Sequence, residues 1–261
     1  MLAVHRVLDP AAGLQVPPGI CALAVMTKAP RSGQVKTRLS PPLTPEEAAA
    51  LNICFLRDTT AALSATVAEG GAKGIAVYTP VGAENAYAEI LPGHFELMPQ
   101  RGEAFGERLI AATEDLFTIG FDAVCLIDSD SPTVPQHAYA DAVKILAKSG
   151  DRIVLGPSDD GGYYLIGLKK LHHRLFEEID WSTERVADQT LARSKELGLD
   201  VALLPKWYDV DDSATLCELC DELLGTPPSR TGFAALQTHQ FLSEIVQREG
   251  RQRIWPAGTT A

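Results

Sequence analysis

Apolar residues recur along this chain in two rhythms. Short, mostly apolar runs read as strands: ICALAVMT (20–27), GIAVYT (74–79), FELMPQ (95–100), DAVCLID (122–128), DRIVLGP (151–157), YYLIGL (163–168) and DVALLP (200–205). Most lack strict polar alternation, which predicts strands covered on both faces. Longer stretches carry the helical period instead: 45–67, 105–117, 134–149 and 183–198, with TLCELCDELL and a terminal 232–249 segment after them. Thr44-Pro45-Glu46-Glu47 is a helix start, with Thr as the cap and Glu three residues later. Strands alternating with helices require crossover connections. The predicted fold is therefore α/β, a mostly parallel mixed sheet with helices on both faces.

The pattern divides into an N-terminal extension (1–19) rich in proline, one domain (20–225), and a linker with a C-terminal helix (226–261). The tail WPAGTTA is expected to fray. The 261 residues suffice for one large core, and 46% hydrophobic with 22% charged residues is ordinary globular composition. A formal net charge of −11 repels nucleic acid and anionic membranes, and no apolar run is long enough to span a bilayer. No signal-like apolar stretch opens the sequence, so a cytoplasmic protein is expected. Cys217 and Cys220 form a C-x-x-C, but on one helix face and without further ligands nearby, so they read as structural thiols.

Charge changes this picture at one place. Between Pro10 and Pro45 there is no Asp or Glu, yet Lys28, Arg31, Lys36 and Arg38 fall there, directly after the first strand. Ligands of open parallel sheets bind at the carboxyl ends of strands, so this loop, with Gly33 to turn it, predicts a phosphate cradle. As loop residues, Lys36 and Arg38 are expected to matter for nucleotide affinity and little for stability. The loop is not a Walker loop.

Acids collect at other strand ends. LIDSDSP places Asp128 and Asp130 after a buried strand, where hard oxygens suit Mg²⁺ or Mn²⁺. In YDVDDSATL, Asp212 or Ser213 serves as a helix cap, which leaves Asp209 and Asp211 unexplained by local structure. In GPSDDGGYYL, Gly161-Gly162 permits close approach of a ligand beside Asp159 and Asp160, and is also a strong hairpin-turn signal. No G-x-S-x-G or histidine-centred triad is present.

KAPRSGQVKTRL, QRGEAFGERL, LIDSDSP, LGPSDDGGYYLIGL, WSTERV and YDVDD together resemble a bacterial glycosyltransferase-like family, once a domain of unknown function, some members of which are assigned to arsenosugar biosynthesis. The resemblance runs from about Cys21 to Leu224. It implies the GT-A fold of the nucleotide-diphospho-sugar transferases, a nucleotide or nucleotide-sugar donor, a small-molecule acceptor and a divalent metal. It further implies Lys28, Lys36 and Arg38 at the phosphates, beside the Gly33 turn, and Gln100, Gly106 and Arg108 near the nucleobase; Asp128, an addition at this strand end, is expected within the nucleotide site. Asp130 and Asp211 fall on the metal ligands, Asp160 is the acceptor-side base, and Gly161, Gly162 and Trp181 line the acceptor. One departure stands out: relatives commonly show Gly-Ser-Asp where this chain has Asp128-Ser129-Asp130. Glycosyl transfer is the expected activity. Guanylyltransferase-like nucleotidyl transfer to a phosphorylated molecule and non-catalytic nucleotide binding are the alternatives.

Overall fold

The computed structural model describes residues 5–256; Met1–Val4 of the predicted extension and residues 257–261 of the predicted tail lie outside them. Seven strands form one sheet: β1 (Cys21–Lys28), β2 (Ala72–Thr79), β3 (Glu96–Pro99), β4 (Ala123–Ile127), β5 (Arg152–Pro157), β6 (Tyr163–Leu168) and β7 (Asp200–Leu203). Their order is β3-β2-β1-β4-β6-β5-β7, and β6 alone runs antiparallel to its neighbours. Each predicted strand run is recovered.

Both faces are covered, which is why the strands read as continuous apolar runs. On β1 and β4, Cys21, Leu23, Val25, Ala123, Cys125 and Ile127 pack into one core, and Ala22, Ala24, Val124 and Leu126 into the other. The first core is closed by α1 (Pro45–Ala68), α3 (Gln136–Leu146), α5 (Ser213–Leu223) and α6 (Leu236–Glu249), the second by α2 (Phe105–Ile119) and α4 (Val186–Glu196). Thr44 caps α1 in the expected reciprocal box with Glu47, and Asp212 caps α5.

The segment after residue 225 is tied into the first core. Leu242 and Ile245 of α6 are buried there. The buried Asp58 carboxylate of α1 accepts from the backbone N–H groups of Gln237 and Thr238 at 3.1 and 2.8 Å, satisfying donors at the start of α6. At the opposite edge, backbone hydrogen bonds between residues 6–8 and Leu97 cover β3, which would otherwise present unpaired groups.

Two details of topology place the site. The order reverses at β1, whose neighbours are β2 on one side and β4 on the other, opening a crevice beyond their carboxyl ends. Strands β5 and β7 run parallel to β4, so their following loops emerge on that side too.

Candidate active site

The loop after β1 meets the acids of two distant loops. Lys36 takes a left-handed conformation (φ 49°), about 1–2 kcal/mol unfavourable for a side-chain-bearing residue, ahead of the short helical turn Thr37–Leu39. Its side chain, only 5% exposed, runs inward. The ammonium reaches Asp130 Oδ1 at 2.7 Å, Asp211 Oδ1 at 3.0 Å and the Val210 carbonyl at 2.7 Å. Arg38, largely exposed, pairs with the other oxygen of Asp211. The counter-charges missing from the neighbouring sequence thus come from residues about a hundred and more positions away. Burial alone would lower the Lys36 pKa; the two carboxylates outweigh it and hold it above its ordinary value. Burial likewise works to raise Asp211, but Lys36 and then Arg38 keep it below the usual carboxylate range. Lys36 is thus a buried structural ion partner, contrary to the expectation that a loop lysine here is dispensable for stability.

Two cavities share this ion-paired wall. The first, about 250 Å³, is lined by Lys28, Gln34, Lys36, Thr37, Arg38 and Asn52, together with Ser129, Asp130 and Asp211. The second, about 440 Å³, extends from Arg38, Asp130 and Asp211 past Asp128, Asp160, Gly162, Glu184 and Asp209, against Tyr163, Phe105 and Trp181. Phe105 and Trp181 meet edge to face with centroids 5.2 Å apart, and Phe105 is 52% exposed.

The acids of the second cavity are not equivalent. The Asp209 pKa is pushed up to about 6, chiefly by burial, with the Asp160 and Asp211 charges adding and the Ser158 hydroxyl, donating at 3.0 Å, opposing. Burial and then the Asp130 charge push Asp128 well above the usual range. Ser131 donates to its Oδ2 at 2.7 Å, and its Oδ1 has no partner. Asp160 Oδ1 accepts from the Gly162 N–H at 2.8 Å, which fixes the carboxylate at the turn between β5 and β6.

Glycine at two positions is dictated by space. A Cβ on Gly161, already at φ +90°, would fall 2.1 Å from the Glu184 carbonyl oxygen, so only glycine lets this turn dock there. A Cβ on Gly106 would sit 2.6 Å from Trp181 Nε1, so Gly106 makes room for that indole. Gly33 (φ +70°) turns the basic loop but lines neither cavity.

Of the residues that the resemblance places near a nucleobase, Gln100 donates from Nε2 to the Thr27 and Val77 carbonyls at 3.2 and 2.7 Å, joining the ends of β1 and β2. Arg108 donates to the Gly102 carbonyl at 3.2 Å. Neither these two nor Gly106 lines either of the two cavities. Sequence reasoning passed over Asn52, Phe105, Ser158 and Glu184, and counted Asp209 among the acids at the strand ends without assigning it as a metal ligand. Only Asn52 carried a legible signal, as a polar residue set among the apolar Ala48, Leu51, Phe55 and Leu56 of the helix.

Among known proteins, a family described as uncharacterized and conserved in bacteria (DUF2064) matches residues 62–183. A solved structure from Desulfovibrio desulfuricans G20, provisionally named a nucleotide-diphospho-sugar transferase, is 30% identical with a TM-score of 0.73, covering 88% of this chain and 96% of its own. Two remoter likenesses, too weak to carry an argument, are a cytidylyltransferase from Leptospira borgpetersenii (9% identity, TM-score 0.49, covering 93% and 99%) and a CMP:2-keto-3-deoxy-manno-octonic acid synthetase complexed with CTP (10%, 0.48, 77% and 96%). No curated protein sequence matches the chain.

Proposed function

The chain belongs to the bacterial glycosyltransferase-like DUF2064 family with the nucleotide-diphospho-sugar transferase fold, and from that premise we propose that it is a transferase that moves a glycosyl group from a nucleoside-diphosphate sugar to a small acceptor. The observation that carries this reading is the wall shared by two cavities. Arg38, Asp130 and Asp211 line both, with a basic, amide-bearing chamber on one side and an acidic, aromatic cleft on the other. A donor diphosphate suits the first chamber and a hydroxyl-rich sugar with its acceptor suits the second, so the bond to be broken lies at the junction.

The metal the family implies fits this donor set. Asp130 and Asp211 each place an oxygen within 3.0 Å of a single ammonium, so the pair can share one cation. Among the described residues no group of three or more His, Cys, Asp or Glu could hold an ion unaided. Mg²⁺ or Mn²⁺ held by these two acids would complete its shell from phosphate and water, as such ions commonly do. When bound, the ion would neutralise charge on the departing diphosphate.

The protein's own residues supply the rest. Lys28 and Arg38 face the diphosphate as it leaves with the electrons of its bond to the sugar C1. The acceptor oxygen bonds to that carbon and gives its proton to Asp160, whose orientation the Gly162 N–H maintains. Phe105 and Trp181 offer faces against which a sugar or acceptor can stack. Nucleotidyl transfer to a phosphorylated molecule fits less well. Beyond the shared wall the cleft lining carries Asp128, Asp160, Glu184 and Asp209 and no Lys or Arg, so an anionic acceptor would meet acids and no counter-charge there.

The test is a thermal-shift panel of nucleoside-diphosphate sugars and the matching triphosphates, with and without Mn²⁺, followed by mass analysis of products. Metal-dependent stabilisation by a nucleotide sugar, with release of nucleoside diphosphate in the presence of acceptors, is expected. Pyrophosphate release from a triphosphate without sugar transfer from any donor would replace this reading with nucleotidyl transfer.

A further inference from the structure

Asn52 stands in α1, 4% exposed, among the buried Ala48, Ala49, Phe55 and Leu56, with the buried Thr59 two turns further along the same face. Its side-chain oxygen is sealed from solvent and accepts no hydrogen bond. A buried polar atom left this way costs about 1–3 kcal/mol, and native structures keep few of them. Leucine has the same number of heavy atoms, the same branching at Cγ and a better helix propensity, so the fold alone gives no reason for a carboxamide here.

The residue also lines the first cavity, together with Lys28, Lys36 and Arg38. Of these three cations, Lys36 is fully engaged by Asp130, Asp211 and the Val210 carbonyl, and Arg38 is shared with Asp211. The chamber therefore relies on neutral donors for part of any anion's solvation. A carboxamide carries two N–H donors and one acceptor, and a half-turn about its last torsion exchanges the two ends. We propose that Asn52 is a ligand-binding residue whose side-chain N–H groups donate to a phosphate oxygen of the donor diphosphate, the unpartnered side-chain oxygen being the stability cost of keeping a carboxamide at this wall. The inference rests on the functional reading above for the identity of the ligand, while the unmet polar group stands on the geometry alone.

Asn52→Leu separates a binding role from a packing role because the two predict opposite signs. The full-length protein, wild type and variant, is melted without ligand in EDTA. It is then titrated calorimetrically, with Mn²⁺, against pyrophosphate, against a panel of nucleoside diphosphates and against the corresponding nucleosides. The variant should melt several degrees higher than wild type. It should bind pyrophosphate and the preferred nucleoside diphosphate about tenfold or more weakly, the loss of one charge-assisted hydrogen bond. Asn52→Asp, which sets a carboxylate against the phosphates, should lose more affinity still.

Leucine and wild-type proteins that bind pyrophosphate equally, while the wild type binds nucleoside diphosphates, would overturn this inference and leave the functional reading standing. The same holds if affinity is lost for the nucleosides and kept for pyrophosphate, which would move Asn52 to the nucleoside. A leucine variant that melts below wild type with unchanged affinity would make the amide structural. A wild-type protein that binds no nucleotide and no pyrophosphate would remove the functional reading and this inference together.

Discussion

Replacing Lys36 by methionine removes a charge from between two others and keeps most of the side chain's length. The ammonium makes three contacts of 2.7–3.0 Å, two to carboxylates and one to a carbonyl. Hydrogen bonds to charged groups contribute about 1.5–3 kcal/mol each, and breaking a fully buried pair costs about 3–5 kcal/mol. The carboxylates here keep 35% and 36% exposure, and Arg38 remains on Asp211, so water and the guanidinium recover part of the loss. The expected cost is about 2–3 kcal/mol, which for a domain of this size lowers Tm by roughly 4–12 °C. Melting in EDTA at neutral pH measures it. Pairing K36M with Asp211→Asn should restore part of the stability, because fewer unpaired charges then remain. With the ammonium gone, the acid pair should also bind Mn²⁺ without nucleotide more tightly than in wild type, as read by electron paramagnetic resonance of free Mn²⁺. A K36M protein within 0.5 kcal/mol of wild type by the melting criterion, allowing roughly that much for an ordinary surface substitution, would mean that Lys36 is a solvated loop residue and that its placement here is wrong.

Asp209 yields a pH signature. Its carboxyl titrates near 6 in the folded protein against an ordinary value of about 3.9, so ionising it penalises the fold. The penalty is absent below about pH 4 and complete above pH 6, so Asp209→Asn should gain on wild type between pH 4 and 8. A pH-independent difference in metal-free melts would contradict the burial and charge crowding proposed as its cause. Gly161→Ala forces a Cβ to within 2.1 Å of the Glu184 carbonyl at a left-handed position, and should destabilise by about 3 kcal/mol or more in denaturant titration. A variant as stable as wild type would show that the turn can move away. Asp58→Ala strips the acceptor from two backbone N–H groups at the start of α6 and should cost about 2 kcal/mol, with amide exchange accelerating at the beginning of that helix. Unchanged exchange there would refute the capping role.

What could be read in the sequence follows from the range of each interaction. The seven strands were legible because double-sided burial makes each an apolar run, and the Thr44 box because its partners lie three residues apart. The antiparallel sense of β6 was not legible, since a strand covered on both faces loses the alternation that would mark it, and only the D-G-G turn hinted at a hairpin. The acids and the basic loop were found as separate features at strand ends. That Lys36 lies buried between Asp130 and Asp211 could not be found this way, because a lysine among other cations reads as solvated until its remote partners are known. Phe105 beside Trp181 had no local signature, as the pair meets only once α2 and the loop before α4 are docked.

The contact between Lys36 and Asp211 joins positions 175 apart in the chain. Closing so long a loop carries an entropic cost that a single ion pair does not repay, growing roughly as (3/2)RT ln n. The pair therefore forms when β1, β4 and β7 have already been brought together by their own packing, late in folding. Until then Asp130 and Asp211 are independent acids with no common cation. The capacity to hold a diphosphate proposed for this wall would consequently appear only once β1, β4 and β7 are assembled, and recovery of nucleotide binding during refolding would time that long-range docking event.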